Sequence, residues 1–130
     1  MTENEISRIV VDAAYCIHKH FGPGLLETVY EVSLAHELRK RGLEVERQKA
    51  IAVKYDTITF DEGFRADVVV DDKVVLELKS VEAVHRVHKK QLLTYLRLMD
   101  KRLGLLINFN EELIKDGISR VVNGLPEDDQ

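Results

Sequence analysis

Two runs dense in β-branched and apolar residues, Phe64 to Val70 and Val74 to Leu78, stand on either side of Asp71-Asp72-Lys73. Such residues suit a pleated surface, and acidic turn formers between two of these runs predict adjacent antiparallel strands. Neither run alternates cleanly with polar residues, so both read as central strands buried on both faces. A sheet of that kind needs cover on both sides, and the rest of the chain has to provide it.

The cover is legible as helical periodicity. Thr2-x-x-Glu5 has the form of a capping box, and Ile6, Ile9, Val10, Ala13, Ala14 and Ile17 follow on one face, predicting a helix from near Asn4 to His20. Gly22-Pro23-Gly24 ends it. Leu26, Val29, Tyr30, Ser33, Leu34, Glu37 and Leu38 mark a second helix, stopped by Arg39-Lys40-Arg41-Gly42. Val45, then Ile51, Val53 and Tyr55, read as a half-buried hairpin strand. Ser80 is placed to cap a third helix over about 82–99, with Val84, Val87, Leu92, Tyr95, Leu96 and Met99 inward. Leu103 to Phe109 and Gly117 to Val122 predict two further strands. The expected fold is α/β, a sandwich with a central mixed β-sheet flanked by helices.

With 130 residues the chain fits one domain, expected over 1–125, followed by an acidic tail, 126–130, that should fray. The lone Cys16 excludes a disulfide framework and a cysteine-rich metal site. No run approaches the roughly 18 apolar residues of a membrane span, and the amino terminus lacks the layout of a secretion signal, so the expectation is a cytoplasmic protein with no membrane partner. A net charge of -4 argues against a module that coats nucleic acid by charge alone. It does not exclude an enzyme whose carboxylates hold divalent cations.

The central runs carry charges that a buried strand should not. An isolated buried ion costs several kcal/mol, in order of magnitude, unless it is paired or metal-bound. Glu77 and Lys79, two apart, project from the same strand face about 7 Å from each other, while Leu78 points away. The length of the preceding turn decides where Asp67 lies. A two-residue turn sets Asp67 opposite Leu76, on the wrong face; a three-residue turn, Asp71 to Lys73, or a bulge sets it opposite Glu77. Only the second register gathers two carboxylates and an ammonium on rigid strands. Adjacent carboxylates repel and raise one pKa, and a hard divalent cation relieves that repulsion. A Lys at its side can orient water or stabilise developing negative charge, which is the set that phosphodiester hydrolysis needs.

Asp67 followed by Glu77-Leu78-Lys79 resembles the PD-(D/E)XK nuclease signature, with Ala66 in place of the Pro. Gly24-Leu25-Leu26-Glu27-Thr28-Val29-Tyr30 looks like the G-x-x-E-x-x-Y hallmark of the GxxExxY proteins, and Gln91-Leu92-Leu93-Thr94-Tyr95 is similar to the Q-x-x-x-Y element of RecB-type nucleases. Ile107-Asn108-Phe109 and Gly117-Ile118-Ser119-Arg120 add to the resemblance, which runs from the first helix to Asn123. It implies a restriction-endonuclease-like fold and a nuclease that cuts DNA with Mg²⁺ or Mn²⁺. It implies that Glu27, Asp67, Glu77 and the Leu78 carbonyl hold metal, that Lys79 is the catalytic lysine, and that Gln91 and Tyr95, on one helix face, steady the site or contact DNA.

Plainer readings stand beside these. Glu27 and Glu31 fit solvated helix positions, Asp67 a pair with Arg65, Glu77 and Lys79 a structural ion pair, and Gln91 and Tyr95 a helix–sheet contact. His85, Arg86, His88, Lys89 and Lys90 form a basic segment at a helix start, suited to a phosphate backbone or simply to solvent. His85 and His88 lack further ligands for zinc. His18 and His20 read as surface residues, and Cys16 has no base to activate it. The leading expectation is a metal-dependent DNA nuclease. The alternatives are a non-catalytic nuclease-fold module that binds nucleic acid or a protein partner, and a dimerisation domain with internal salt bridges. Small size and negative charge favour a homodimer or a protein partner for substrate grip.

Overall fold

The computed structural model describes residues 1–126; positions 127–130 of the expected frayed tail lie outside the described residues. In chain order the elements are α1 (Glu3–Phe21), α2 (Glu27–Lys40), β1 (Val45–Tyr55), β2 (Ile58–Val70), β3 (Val74–Lys79), α3 (Arg86–Met99), β4 (Leu103–Asn108), a short 3₁₀ turn (Ile114–Gly117) and β5 (Ile118–Val122). The sheet order is β1-β2-β3-β4-β5. The β3/β4 pair is parallel and the other three pairs are antiparallel, so the sheet is mixed as expected. No helix among the described residues is long and apolar enough to cross a membrane.

The helix ends follow local chemistry. The Thr2 hydroxyl accepts from the Glu5 N–H at 3.2 Å and the Glu5 carboxylate accepts from the Thr2 N–H at 2.9 Å, so the capping box is formed and α1 begins at Glu3. Helix α1 stops where the Gly22 N–H donates to the His18 carbonyl at 2.7 Å.

Two cores cover the sheet. On one face Ile6, Val10 and Ala13 of α1 and Tyr30, Leu34 and Leu38 of α2 pack on Val68, Val70, Leu76, Leu78, Leu105 and Ile107. On the other, Leu92 and Leu96 of α3 meet Ala66, Val69, Val75 and Leu106. Gly104 sets that approach, because a Cβ there would lie 2.9 Å from a Leu92 methyl. The central strands are buried on both faces because helices occupy both.

Four expectations need correcting. Helix α3 starts at Arg86, not near Glu82, and Ser80 does not cap it: its hydroxyl donates to the Leu25 carbonyl at 2.6 Å, tying the end of β3 to the loop before α2. Val87, counted among the apolar contacts of this helix, is 63% exposed, because at 3.6 residues per turn it falls on the side opposite the buried Leu92 and Leu96. The β1/β2 hairpin is longer than the apolar pattern suggested, and Tyr55, Ile58 and Phe60 near its tip are exposed, since no third strand or helix reaches them. His18 is a buried residue whose Nε2 lies 2.8 Å from the Glu111 carbonyl, not a surface one.

Candidate active site

The turn after Val70 has the three-residue length that a shared site requires. Val70 pairs with Val74, Val69 with Val75 and Val68 with Leu76, leaving Asp71, Asp72 and Lys73 as the connection. Asp71 and Asp72 take left-handed backbone angles, φ 50° and 54°, which Asp tolerates better than most residues. The Asp71 carboxylate also accepts the Glu44 N–H at 2.8 Å, pinning the turn to the end of the α2–β1 loop.

One step further along this register Asp67 meets Glu77, and side chains take over from the backbone ladder. The Asp67 N–H donates to Glu77 Oε2 at 2.8 Å, and the Leu78 N–H donates to Asp67 Oδ2 at 2.9 Å. The two carboxylates are thus adjacent and each is held by the other strand. Here the pleat also reverses. Val68 packs towards α1 and α2, yet Ala66 packs towards α3, and Phe64 stacks on Tyr95 of α3 with ring centroids 4.0 Å apart. Opposite Asp67 in the β1/β2 register, Gln48 has φ 50°, so both strands are irregular at the same level.

Glu77 is only 6% exposed and Asp67 is half-buried. Burial first, then the charge of Asp67, pushes Glu77 up to about 8. Burial also raises Asp67; the Leu78 N–H opposes that rise, and the negative charges of Glu31 and Glu27 add to it. Lys79 is half-buried and acts on both carboxylates with the opposite sign, but no carboxylate lies within ion-pair distance of its ammonium among the described residues. A closed structural Glu77–Lys79 pair is therefore not what the strand holds. Nor does Arg65 pair with Asp67; its guanidinium binds Glu62.

The G-x-x-E-x-x-Y segment has a physical account. Gly24 sits at φ 100°, outside the range of ordinary side chains. The buried Tyr30 ring stacks on Phe109 at 4.6 Å, and its hydroxyl donates to the Gly22 carbonyl at 2.6 Å and accepts the Leu25 N–H at 3.1 Å. The tyrosine thereby holds the loop that sets where α2 begins. Glu27 is the first residue of α2, exposed, and close enough for its charge to act on Asp67.

Tyr95 faces the same carboxylates: burial, then the charges of Glu77 and Asp67, raises its hydroxyl. Gln91, one turn earlier, is exposed. At the start of α3, His85, Arg86, Lys89 and Lys90 are exposed, and the His85 N–H donates to His88 Nδ1 at 3.1 Å. Lys89 lines a cavity of about 280 Å³ together with Glu82, Glu111 and Asp116, so its surroundings are acidic.

Sequence reasoning missed three residues. Glu31, read as solvated, is 6% exposed; Arg47 grips its Oε2 at 3.0 and 2.7 Å, and the Gln48 amide donates to its Oε1 at 2.8 Å. The same Gln48 nitrogen lies 3.5 Å from Asp67 Oδ1. The available signal was the polar gap between Val45 and Ile51, where the strand pattern lapses.

The model of the PD-(D/E)XK nuclease superfamily matches residues 4–121. The chain belongs to that superfamily. No curated protein and no solved structure matches it. In this PD-(D/E)XK domain Asp67 of β2 and Glu77 of β3 are adjacent, and Lys79, Glu27 of α2 and Tyr95 of α3 are near enough for charge to act between them and these carboxylates. Among the described residues no three His, Cys, Asp or Glu side chains converge as a ready metal site. The donor set nonetheless suits a hard divalent cation: two carboxylates are adjacent, Glu77 is raised by the charge of Asp67, and a further carboxylate stands at the α2 start.

Proposed function

We propose that this superfamily member, of the GxxExxY type, is a divalent-metal-dependent nuclease that hydrolyses DNA phosphodiester bonds. The observation that carries the reading is the reciprocal Asp67–Glu77 arrangement, which holds two adjacent carboxylates beside a lysine whose charge acts on both. Asp67, Glu77, the Leu78 carbonyl and Glu27 would hold Mg²⁺ or Mn²⁺; a bound ion of this kind polarises a phosphate oxygen and acidifies water. Lys79, in reach of both carboxylates' fields, orients the attacking water or stabilises charge building on the phosphate oxygens. Tyr95 and Gln91, one helical turn apart, steady the scissile phosphate from the α3 side. His85, Arg86, His88, Lys89 and Lys90 meet the flanking backbone.

The absence of a converged three-ligand cluster among the described residues favours, as a second reading, a domain that binds nucleic acid without cutting it. One experiment separates the two: titration of the purified protein with Mg²⁺ and Mn²⁺ by calorimetry, followed by cleavage assays on single-stranded, duplex and nicked DNA and on RNA. Metal binding with metal-dependent DNA cleavage supports the nuclease. Nucleic-acid binding with neither metal uptake nor cleavage supports the second reading.

A further inference from the structure

The buried carboxylate on α2 is not a spare metal ligand. Glu31 already accepts both Arg47 contacts and the Gln48 amide, so its two oxygens are engaged. What leaves this cluster towards the site is Gln48. Its Nε2 is anchored on Glu31 at 2.8 Å and aims at Asp67 Oδ1 at 3.5 Å, a long contact of the sort that commonly tightens when a site is loaded.

The Gln48 backbone supplies an independent observation. At φ 50° it occupies the left-handed region, which crowds the Cβ of any residue but glycine. Glycine would fit there without that crowding. A strained non-glycine residue next to a site points to a side chain that is needed. The strain also directs the amide: Arg47 before it reaches Glu31, and the left-handed turn brings the Gln48 side chain to the same carboxylate and to Asp67.

We infer that Gln48, anchored by Glu31, is a positioning residue that fixes the Asp67 carboxylate for the reaction. The inference deepens the nuclease reading and rests on it for the kinetic consequence, but not for the structural one. Asp67 Oδ2 accepts the Leu78 N–H, so a carboxylate freed from Gln48 should loosen that amide even in metal-free protein.

The test uses two variants with opposite backbone consequences. Gln48→Gly removes the amide and relieves the left-handed residue; Gln48→Met removes the amide, keeps the side-chain length and keeps the strain. If Gln48 positions Asp67, both lose about 10–100-fold in kcat with the KM for DNA unchanged, although Gln48→Gly, relieved of the left-handed strain, melts above Gln48→Met. In both, hydrogen exchange at the Leu78 amide in metal-free protein rises roughly tenfold, while amides elsewhere in the central strands keep their rates. Cleavage rates that follow melting temperature, with Gln48→Gly as fast as wild type, would overturn the inference. If the wild type cleaves nothing with any metal, the nuclease reading fails and Leu78 exchange decides alone: faster exchange in both variants supports the positioning role, and unchanged exchange overturns it.

Discussion

Glu31 and Glu77 are equally buried, at 6% exposure each, and the fold treats them in opposite ways. Glu31 lies against Arg47, a guanidinium that is itself about a third exposed, and takes a second donor from Gln48. Glu77 receives one backbone N–H and has another carboxylate as its neighbour. A buried acid with a cation and filled hydrogen bonds is an anchor. One left facing a like charge, and pushed up to about 8, is poised to take a proton or a cation. The two acids sit on facing elements, so the same small region contains both a finished ion pair and an unfinished one.

Lys79→Ala puts the unfinished pair to the hardest test. Both carboxylates remain to hold metal, so cleavage should slow by about 10²–10³, or roughly 2.7–4 kcal/mol, with metal affinity retained or improved. Rates measured under single turnover at saturating metal check it, and equal rates would make Lys79 a structural partner.

Next, metal itself should stabilise the protein through Glu77 and not through Glu31. At a hundredfold excess over Kd the gain is about 2.7 kcal/mol. A rise in melting temperature that disappears in Glu77→Gln and survives in Glu31→Gln sharpens the contrast; the reverse pattern breaks it.

In metal-free protein, Glu31→Gln should cost about 1–3 kcal/mol, because Arg47 loses its charged acceptor inside the fold. Glu77→Gln should instead stabilise, since the amide oxygen still accepts the Asp67 N–H while the repulsion is gone. Denaturant unfolding of both variants gives the signs directly.

The last contrast is a slope. Glu77 is raised from an ordinary value of 4.5 to about 8, so between those values the folded state holds a proton that the unfolded state has released. Stability from this group is therefore full below pH 4.5 and falls as pH rises towards about 8, the reverse of a salt-bridged acid. Melting of metal-free wild type across that window should show the decline, and Glu77→Gln should flatten it. A decline that persists unchanged would place the titration elsewhere.

Much of the site was legible because strand geometry is local. The two-residue spacing puts Glu77 and Lys79 on one face, and of the turn lengths the sequence leaves open, the three-residue one found at Asp71 to Lys73 brings Asp67 to Glu77. Glu31 was not legible, because a helix residue next to Tyr30 looks the same whether a strand arginine covers it or water does. The start of α3 was missed for a related reason: Ser80 is a good cap by type, but the Leu25 carbonyl competes for its hydroxyl.

By itself the sequence determined the periods of the helices and central strands, the capping of α1 and the residue types of the motif. Each rests on interactions within a few residues of chain, where stereochemistry leaves few choices. Only the tertiary structure decided that Arg47 and Gln48 close over Glu31, that Gln48 and Asp67 reverse the pleat together, and that Tyr55, Ile58 and Phe60 stay exposed while similar residues near Val68 are buried. Those outcomes depend on which distant element arrives to fill a hydrogen bond or cover an apolar face, and contacts between distant segments leave no period in the chain.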